Sequence, residues 1–584
     1  MIVALGLVVA ACGGGGVSAS PSGSGAEPSD VASEQPFESE GTFEPMSWPE
    51  GEAADCEFEG DDEYAAYTGQ LAQIRAVDET TVEFELCRVD VAFLQKIAFS
   101  AFNIHDTASL ENDMVNHRVL ARPNGTGPFM ITEWQRGDHI TMVRNPNYWG
   151  EAPSFETLIF RWSTDSAQRF VELQSGQVDG IDNPGPDDFA AIEGDDAFAL
   201  FPREGLNTFY VGFNNNPSIE GYDNSENPFA IEEVRQAIAM GIDRQQIVDN
   251  FYPEGSEVAS HFTPCAIDFG CGGEEWYEFD PEAAQQLLAD AGFPDGFETA
   301  IHLRDVVRGY LPNPTQVATE IQTQLRENLN IEATIDVQES GTFIDNSNGG
   351  LLDGIHLLGW GADYPDPTNF LDYHFGEGAS PQFGDKFDDI TEPLITGATS
   401  LEDADREAAY AEANDAIREH VPMVPIAHGG SATVFQADVQ NGHASPLSNE
   451  QFAGMVPGDR DQFVWMQNAE PIGLYCGDET DGESLRACEQ INESLYAYEV
   501  GGTAAEPALA EECTSNEDGT LWTCTLREGV TFHNGAGFDA NDVVMSYALQ
   551  WDLEHPLHVG RVGDFAYFSA LFGGFLNAPA PEEE

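Results

Sequence analysis

The chain has 584 residues, 41% of them hydrophobic and 11% aromatic, enough for several packed cores and inconsistent with a wholly disordered protein. Its formal charge is −81, and Lys96 and Lys386 are its only lysines, which excludes a nucleic-acid partner because no phosphate-neutralising surface can be assembled. Carboxylates occur in every segment, so the charge reads as a solvated exterior suited to salty surroundings, ahead of an attraction for cationic solutes.

The first residues, "MIVALGLVVAACGGGG", form a short apolar run ending in Val9-Ala10-Ala11-Cys12. This resembles a bacterial lipobox, which implies cleavage before Cys12, acylation of its thiol, and attachment to a membrane by lipid alone. No run of ~18 apolar residues follows, so no transmembrane helix is expected after maturation. Residues 13–45, rich in Gly, Ser, Pro and Glu, read as a tether. Setting Cys12 aside leaves eight cysteines, an even number suited to an oxidising compartment. Proximity suggests Cys265–Cys271 around "AIDFG", Cys513–Cys524 around a hairpin turning at "NEDG", Cys476–Cys488 across a Gly/Asp turn, and Cys56–Cys87 by remainder; spacing alone does not fix this connectivity. No CxxC occurs, so no zinc knuckle is expected, and no metal or cofactor is.

Further along, "VDETTVEFELCRVDVAFLQKIAF" (77–99) alternates like a strand and then turns helical. "GTGPFMITEWQRGDHITMVRNPNYWG" (125–150) reads as a hairpin whose turn contains Arg136-Gly137-Asp138; an adhesion tripeptide is the competing reading. "ELQSGQVDGI" (172–181) is a helix leading to a strand, and "TFYVGFNNN" (208–216) a strand. From there helices and strands alternate, as in an α/β lobe. "IEEVRQAIAMGIDRQQIV" (231–248) places Ile231, Val234, Ile238 and Ile242 on one helical stripe. "DPEAAQQLLADAGF" (280–293) has Asp280 as N-cap, Pro281 in first position and Gly292 as stop. Residues 314–337 and 403–428 repeat the helix-then-strand order. Near the end, "CTLREGVTFHNGAGFDANDVVMSY" (524–547) supplies strands, a Gly-containing loop and a helix opened by Asp539 or Asn541.

This last segment, with the blocks from residue 66 onward, resembles the peptide/nickel class of extracellular solute-binding proteins, family 5, the receptors of ABC importers. The resemblance implies an α/β, two-lobed, periplasmic-binding-protein-like fold (class II, cluster C type) with an additional β-rich subdomain. In that family the 524–547 signature lies in the first quarter of the chain; here it comes last. "EPIGLYCGDETDGESLRACEQINESLYAYE" (470–499) resembles the family's beginning, and the C-terminus stops where relatives continue into the strand at 77–87. The order is that of a circular permutant, with old start and old end fused near 440–470. Permutation is tolerated where old termini are neighbours and the new break falls in an exposed loop. The alternatives are a misassembled gene and a C-terminal piece that completes a neighbouring molecule by swapping. The implied division is 1–12 lipoprotein signal, 13–45 tether, 46–213 first lobe and subdomain, 214–439 second lobe, and 440–584 completing the first lobe.

No P-loop, HExxH or GxSxG occurs, and the thirteen histidines form no i,i+4 pair, so no enzyme is expected. The expected function is a monomeric, exported lipoprotein at the cell envelope, periplasmic or on the outer face of the cytoplasmic membrane. It would capture a peptide or another small amine-bearing solute and deliver it to an ABC permease and ATPase complex. The same fold holding a nickel chelate or glycan is an alternative, as is a secreted adhesion or structural protein. In "LLGWGADYPDPTNFLDYHF" (357–375), the resemblance aligns Asp363 with the aspartate of a Trp-x-x-Asp element that oligopeptide-binding relatives direct at the ligand's α-amino group. Trp360 and Tyr364 would supply aromatic walls. The competing reading makes Asp363 a cap for the turn before Pro365. Asp366 and Asp372 read as turn or helix-end residues. From the other lobe, Tyr475 and Tyr496 could line the edges, and Arg486 is a possible but unsupported partner for a carboxylate.

Overall fold

The computed structural model describes residues 43–61, 63–185, 188–217, 227–253, 255–306 and 308–580. The leader, Cys12, nearly all of the tether and residue 584 lie outside the described residues.

Three main sheets organise the chain. The first is antiparallel and runs Ser47–Trp48, Leu71–Asp78, Thr81–Leu86, Leu521–Leu526, Ala510–Ser515. Thr81–Leu86 alternates half-buried and buried positions, placing Val82, Phe84 and Leu86 inward. Period two on one face is the pattern of a sheet covered on one side. That cover includes the helix Ala540–Trp551, opened by a capping box: Asp539 Oδ1 accepts from Asn541 N at 2.8 Å and Asp542 Oδ2 accepts from Asp539 N at 3.0 Å. Of the two N-cap candidates, the structure selects Asp539. The C-terminal segment returns to the 60s, where Ala65 N donates to Ala578 O and Ala580 N to Glu63 O.

The second sheet has seven strands in the order Phe129–Gln135, His139–Arg144, Thr157–Trp162, Gln462–Gln467, Gly180–Asp182, Ser431–Gln436, Phe198–Arg203. Gln462–Gln467 enters parallel to both of its neighbours, and the remaining pairs are antiparallel. The Arg136-Gly137-Asp138 turn is engaged from behind: Arg136 Nη1 donates to Pro471 O and Ile472 O, and Gly137 N to Glu470 Oε2. One hydrophobic core unites residues 71–160 with residues 435–572.

The third sheet forms the second lobe: Glu257–Val258, Met423–His428, Asn207–Phe213, Ile355–Gly361, Glu298–Arg304, Glu332–Gln338. Its core is drawn from residues 206–427. The helix Pro314–Leu329 buries Val317, Ile321 and Leu325 completely. The single helix expected over 231–248 is two, Glu232–Gly241 and Arg244–Phe251. The break comes where Asp243 leaves the helix and caps the second one, accepting from Gln246 N at 2.9 Å.

The expected lobe boundary at 213/214 is corrected by the strand pairing. Asn207–Phe213 is hydrogen-bonded on both sides within the second-lobe sheet, while Ser431–Gln436 belongs to the seven-stranded sheet. The chain therefore crosses between lobes at 204–206 and 429–430. The two crossings touch backbone to backbone: a Cβ on Gly205 would lie 1.8 Å from Gly429 O. Only glycine admits that approach. The Asn207 side chain clamps the pair, donating to Gly429 O and accepting from Gly429 N, both at 2.8 Å.

Four disulfides close among the described residues: Cys56–Cys87, Cys265–Cys271, Cys476–Cys488 and Cys513–Cys524.

Candidate functional site

Strand register delivers the "GWGAD" segment to the junction between the lobes. Trp360 pairs with Thr208 and Gly361 with Asn207, so Ile355–Gly361 ends level with the crossing chain. Ala362 N then donates to Leu206 O at 2.7 Å. The next residue is Asp363, half-buried. Its own N–H donates to Asn369 Oδ1 at 2.9 Å, and Asn369 Nδ2 donates back to Asp363 Oδ2 at 3.2 Å. Trp360 Nε1 also donates to Asn369 Oδ1, at 3.3 Å. Asn369 thus orients both the carboxylate and the indole. Sequence reasoning missed it, although an amide six residues beyond an aspartate, at the end of a Pro-opened turn, is a signal for such a clamp.

Among the described residues, that amide is the one group hydrogen-bonded to the Asp363 carboxylate. Burial therefore prevails over the Asn369 bond and lifts its carboxyl from the ordinary 3.8 to about 6. No cation pairs with it among the described residues. Its negative charge adds to burial in raising the hydroxyls of Tyr498 and Tyr567, both from the first lobe. The carboxylate therefore lies within electrostatic reach of first-lobe aromatics across the junction.

The neighbouring carboxylates have other partners. Asp366 caps the turn Pro367–Asn369 by accepting from Thr368 N at 3.0 Å, and it takes Arg406 Nη2 on both oxygens, at 3.0 and 2.8 Å. Asp372 is pushed up to about 8 by burial and then by the Asp366 charge.

Trp360 is half-buried and stacks on the exposed Tyr373, ring centroids 4.2 Å apart, with His374 edge-on at 5.1 Å. Tyr364 packs into the first-lobe core even though the chain around it belongs to the second lobe. Its hydroxyl pairs with Thr368 Oγ1 at 3.1 Å, and Lys96 of the first lobe sits 5.2 Å above its ring. Lys96 is itself paired with Asp90 at 2.7 Å. Tyr364 therefore seals the junction more than it lines an open wall.

Two sequence candidates are placed elsewhere. Tyr475 is fully buried against His105 and Phe565, in the first-lobe core instead of on a cleft edge. The physical reason is that Leu474, Tyr475 and Cys476 are all held within that core by the returning segment around residue 565. Arg486 is also buried, and its charge is consumed: it donates to Asp182 at 3.0 Å and to Glu450 at 2.7 Å. Arg203 completes the square, at 2.9 Å from Asp182 and in contact with Glu450. Burial alone would raise Glu450; the two guanidiniums override it and hold the carboxyl down at about 2. This interior network leaves Arg486 nothing to offer a ligand carboxylate. It joins residues 182 and 203 to residues 450 and 486, far apart in sequence.

The family model for bacterial extracellular solute-binding proteins, family 5 (middle), matches residues 49–382 and 504–561. A dipeptide-binding protein of Pseudomonas aeruginosa is 30% identical over 405 residues, covering 66% of this chain and 72% of the relative. Heme-binding protein A of Haemophilus influenzae is 27% identical over 395 residues, covering 66% and 70%. Among solved structures, HbpA2 from Haemophilus parasuis superposes with a TM-score of 0.61 at 28% identity, covering 66% of this chain and 76% of that one. A dipeptide-binding protein from Pseudoalteromonas sp. SM9913 in complex with Met-Leu gives 0.51 at 25%, covering 65% and 74%. These relatives are named as binding proteins, and the lobe junction here places a carboxylate with no cationic partner among the described residues beside the stacked rings of Trp360 and Tyr373. The chain belongs to the bacterial extracellular solute-binding proteins of family 5.

Proposed function

We propose that this protein captures a peptide, or a similar amine-bearing solute, at the junction of its lobes and delivers it to an ABC permease. The observation that carries this reading is Asp363. A half-buried carboxylate with a single amide donor and no cation is costly unless something cationic completes it, and a ligand ammonium does so through a charge-assisted bond. Trp360, oriented by the same Asn369, supplies an adjacent aromatic face. Several relatives are named for dipeptides, and one solved relative holds Met-Leu. Others are named for heme. Heme propionates would want basic partners; Lys96, over the Tyr364 ring, is already paired with Asp90, and Lys386 is bound to the carbonyls of His374 and Ser380. The amine reading therefore has the better chemical support. Lobe closure around the solute would couple occupancy to docking on the permease, with Cys12 lipidation as the tether.

We also read the chain order as circularly permuted. Supporting this are the pairing of Thr81–Leu86 with Leu521–Leu526, the core shared by residues 71–160 and 435–572, and the bonds from 578–580 to 63–65. On this reading residues 46–205 and 430–580 make the first lobe and 206–429 the second. A chain re-ordered to begin at residue 470 and to join residue 580 to residue 46 should then fold and bind as the natural one does.

Native mass spectrometry of the protein as purified tests the ligand class directly. A retained peptide or amine, released on unfolding, supports the reading; a retained solute with no amine contradicts it.

A further inference from the structure

The first lobe contains a cavity of about 220 Å³, one of whose lining residues, Tyr498, is also within electrostatic reach of Asp363. It is smaller than the roughly 300–1,000 Å³ of sites for drug-sized ligands, and matches a small organic group. Glu489 and Glu493, four residues apart, line it together with Tyr148, Trp149, Tyr496 and Tyr498. The two carboxylates are not equivalent. Glu493 accepts from Thr126 Oγ1 at 2.7 Å, Trp149 Nε1 at 2.9 Å and Tyr148 OH at 3.0 Å. Arg527 stands nearby, its guanidinium 4.3 Å above the Trp149 ring. Glu489 takes Asn449 Nδ2 at 2.9 Å and has no cationic partner among the described residues, because the adjacent Arg486 is held by Glu450 and Asp182.

Two buried amides beside the cavity each have an atom without a partner among the described residues. Asn103, 2% exposed, accepts from Ser494 Oγ with its Oδ1, yet its Nδ2 has no partner among the described residues. Asn492, 1% exposed, has an Oδ1 in the same condition. Both residues line the cavity. Buried amides left so are uncommon. Glu489 can meet a cation only as a carboxylate, by giving up its proton, and the rings around it suit one.

We propose that this cavity is a second binding site, for a small organic cation of the alkylguanidinium or alkylammonium class, with Glu489 as its counter-ion and the Tyr and Trp rings as its walls. Its counter-ion differs from that of the Asp363 reading, and the titration below separates the two. Burial lifts the Glu489 carboxyl to about 8; Asn449, Ser100 and Arg486 oppose that rise and the Glu450 charge adds to it. The Glu493 carboxyl is also raised by burial, against Trp149, Thr126, Tyr148 and Arg527. Near neutrality the free site therefore holds a proton on Glu489. A cation entering beside it displaces that proton to the solvent, so binding carries its own signature.

The test is calorimetric titration of n-butylguanidinium chloride into the full-length protein at pH 7, in two buffers of different ionisation enthalpy. The expected result is binding with release of about one proton. Glu489→Gln should weaken binding by at least about tenfold and abolish the release. Ala98→Leu, which fills the cavity and leaves both carboxylates intact, should also abolish binding. The same titration of Asp363→Asn separates the two sites: persisting heat places the cation in this cavity, and lost heat places it at Asp363 and overturns the proposal. Absence of binding to the natural chain at millimolar probe overturns it too, as does binding without proton release or binding indifferent to both cavity variants.

Discussion

The two lobes are built in different ways from one chain. The second is made from the continuous run 206–429, and its strands pair within that run. The first is assembled from both sides of it: Thr81–Leu86 pairs with Leu521–Leu526, and Thr157–Trp162 with Gln462–Gln467. Closing such distant contacts takes more chain entropy than pairing neighbours, though the increment grows only slowly with length. The first lobe is cross-tied by the buried square of Asp182, Arg203, Glu450 and Arg486, which joins the two segments; its three disulfides among the described residues each close a loop within one segment. The lobe that closes across the greatest sequence distance has a buried four-membered charge network joining its two segments, while the contiguous lobe has the simpler buried pair Asp366–Arg406 and, beside it, Asp363 with no cation among the described residues.

The largest effect should come from breaking the square. Glu450→Gln leaves two buried guanidiniums facing Asp182 alone, and losing one partner of a buried ion pair typically costs about 3–5 kcal/mol. Hydrogen exchange should show strands 81–86 and 521–526 losing protection while 298–304 and 332–338 keep theirs. Uniform loss across both lobes would mean that the lobes unfold as one unit and would break the comparison.

The disulfides sharpen it. By loop-closure entropy, replacing Cys56 and Cys87 by alanine, a closure over 31 residues, should destabilise the chain by about 4 kcal/mol. The second-lobe pair Cys265–Cys271 spans 6, and its loss should amount to about 2 kcal/mol. Urea titrations of the two double variants give the difference directly.

Much of this architecture could be read from the sequence, and the reasons are local. The caps at Asp280 and Asp539 and the first-position Pro281 are written in adjacent residues, so the corresponding helices were legible. The crossing points were not, because Gly205 and Gly429 owe their role to each other across more than two hundred residues. Tyr475 illustrates the same limit. An aromatic after an apolar strand looks equally suited to a cleft or a core, and only the segment around Phe565, which covers it, decides. Asp363 was singled out by its motif, but the clamp that orients it, Asn369, emerged only when the turn was closed.

Two further predictions concern the site in the contiguous lobe. Asn369→Ser should weaken an amine-bearing ligand by about tenfold, ~1.4 kcal/mol, because Asp363 and Trp360 lose their shared anchor. Protection in the first-lobe strands should not change. Acidity should act with opposite signs on stability and affinity. The Asp363 carboxyl holds its proton up to about 6 in the free protein. Its contribution to stability is complete below its ordinary 3.8 and is lost as pH rises through about 6. Binding an ammonium requires the carboxylate, so affinity should fall about tenfold per pH unit below about 6. Affinity constant between pH 7 and 4.5 would assign the ammonium to another group.

The most direct measurement is a four-way calorimetric cycle at pH 7: the natural chain and Asp363→Asn, each titrated with a dipeptide and with its N-acetylated form. Asp363→Asn and acetylation should each weaken binding by about tenfold or more, and together hardly more than either alone, because both remove the same ion pair. Losses that add, or a variant that binds the free dipeptide as tightly as the natural chain, would contradict the account and leave Asp363 a turn residue.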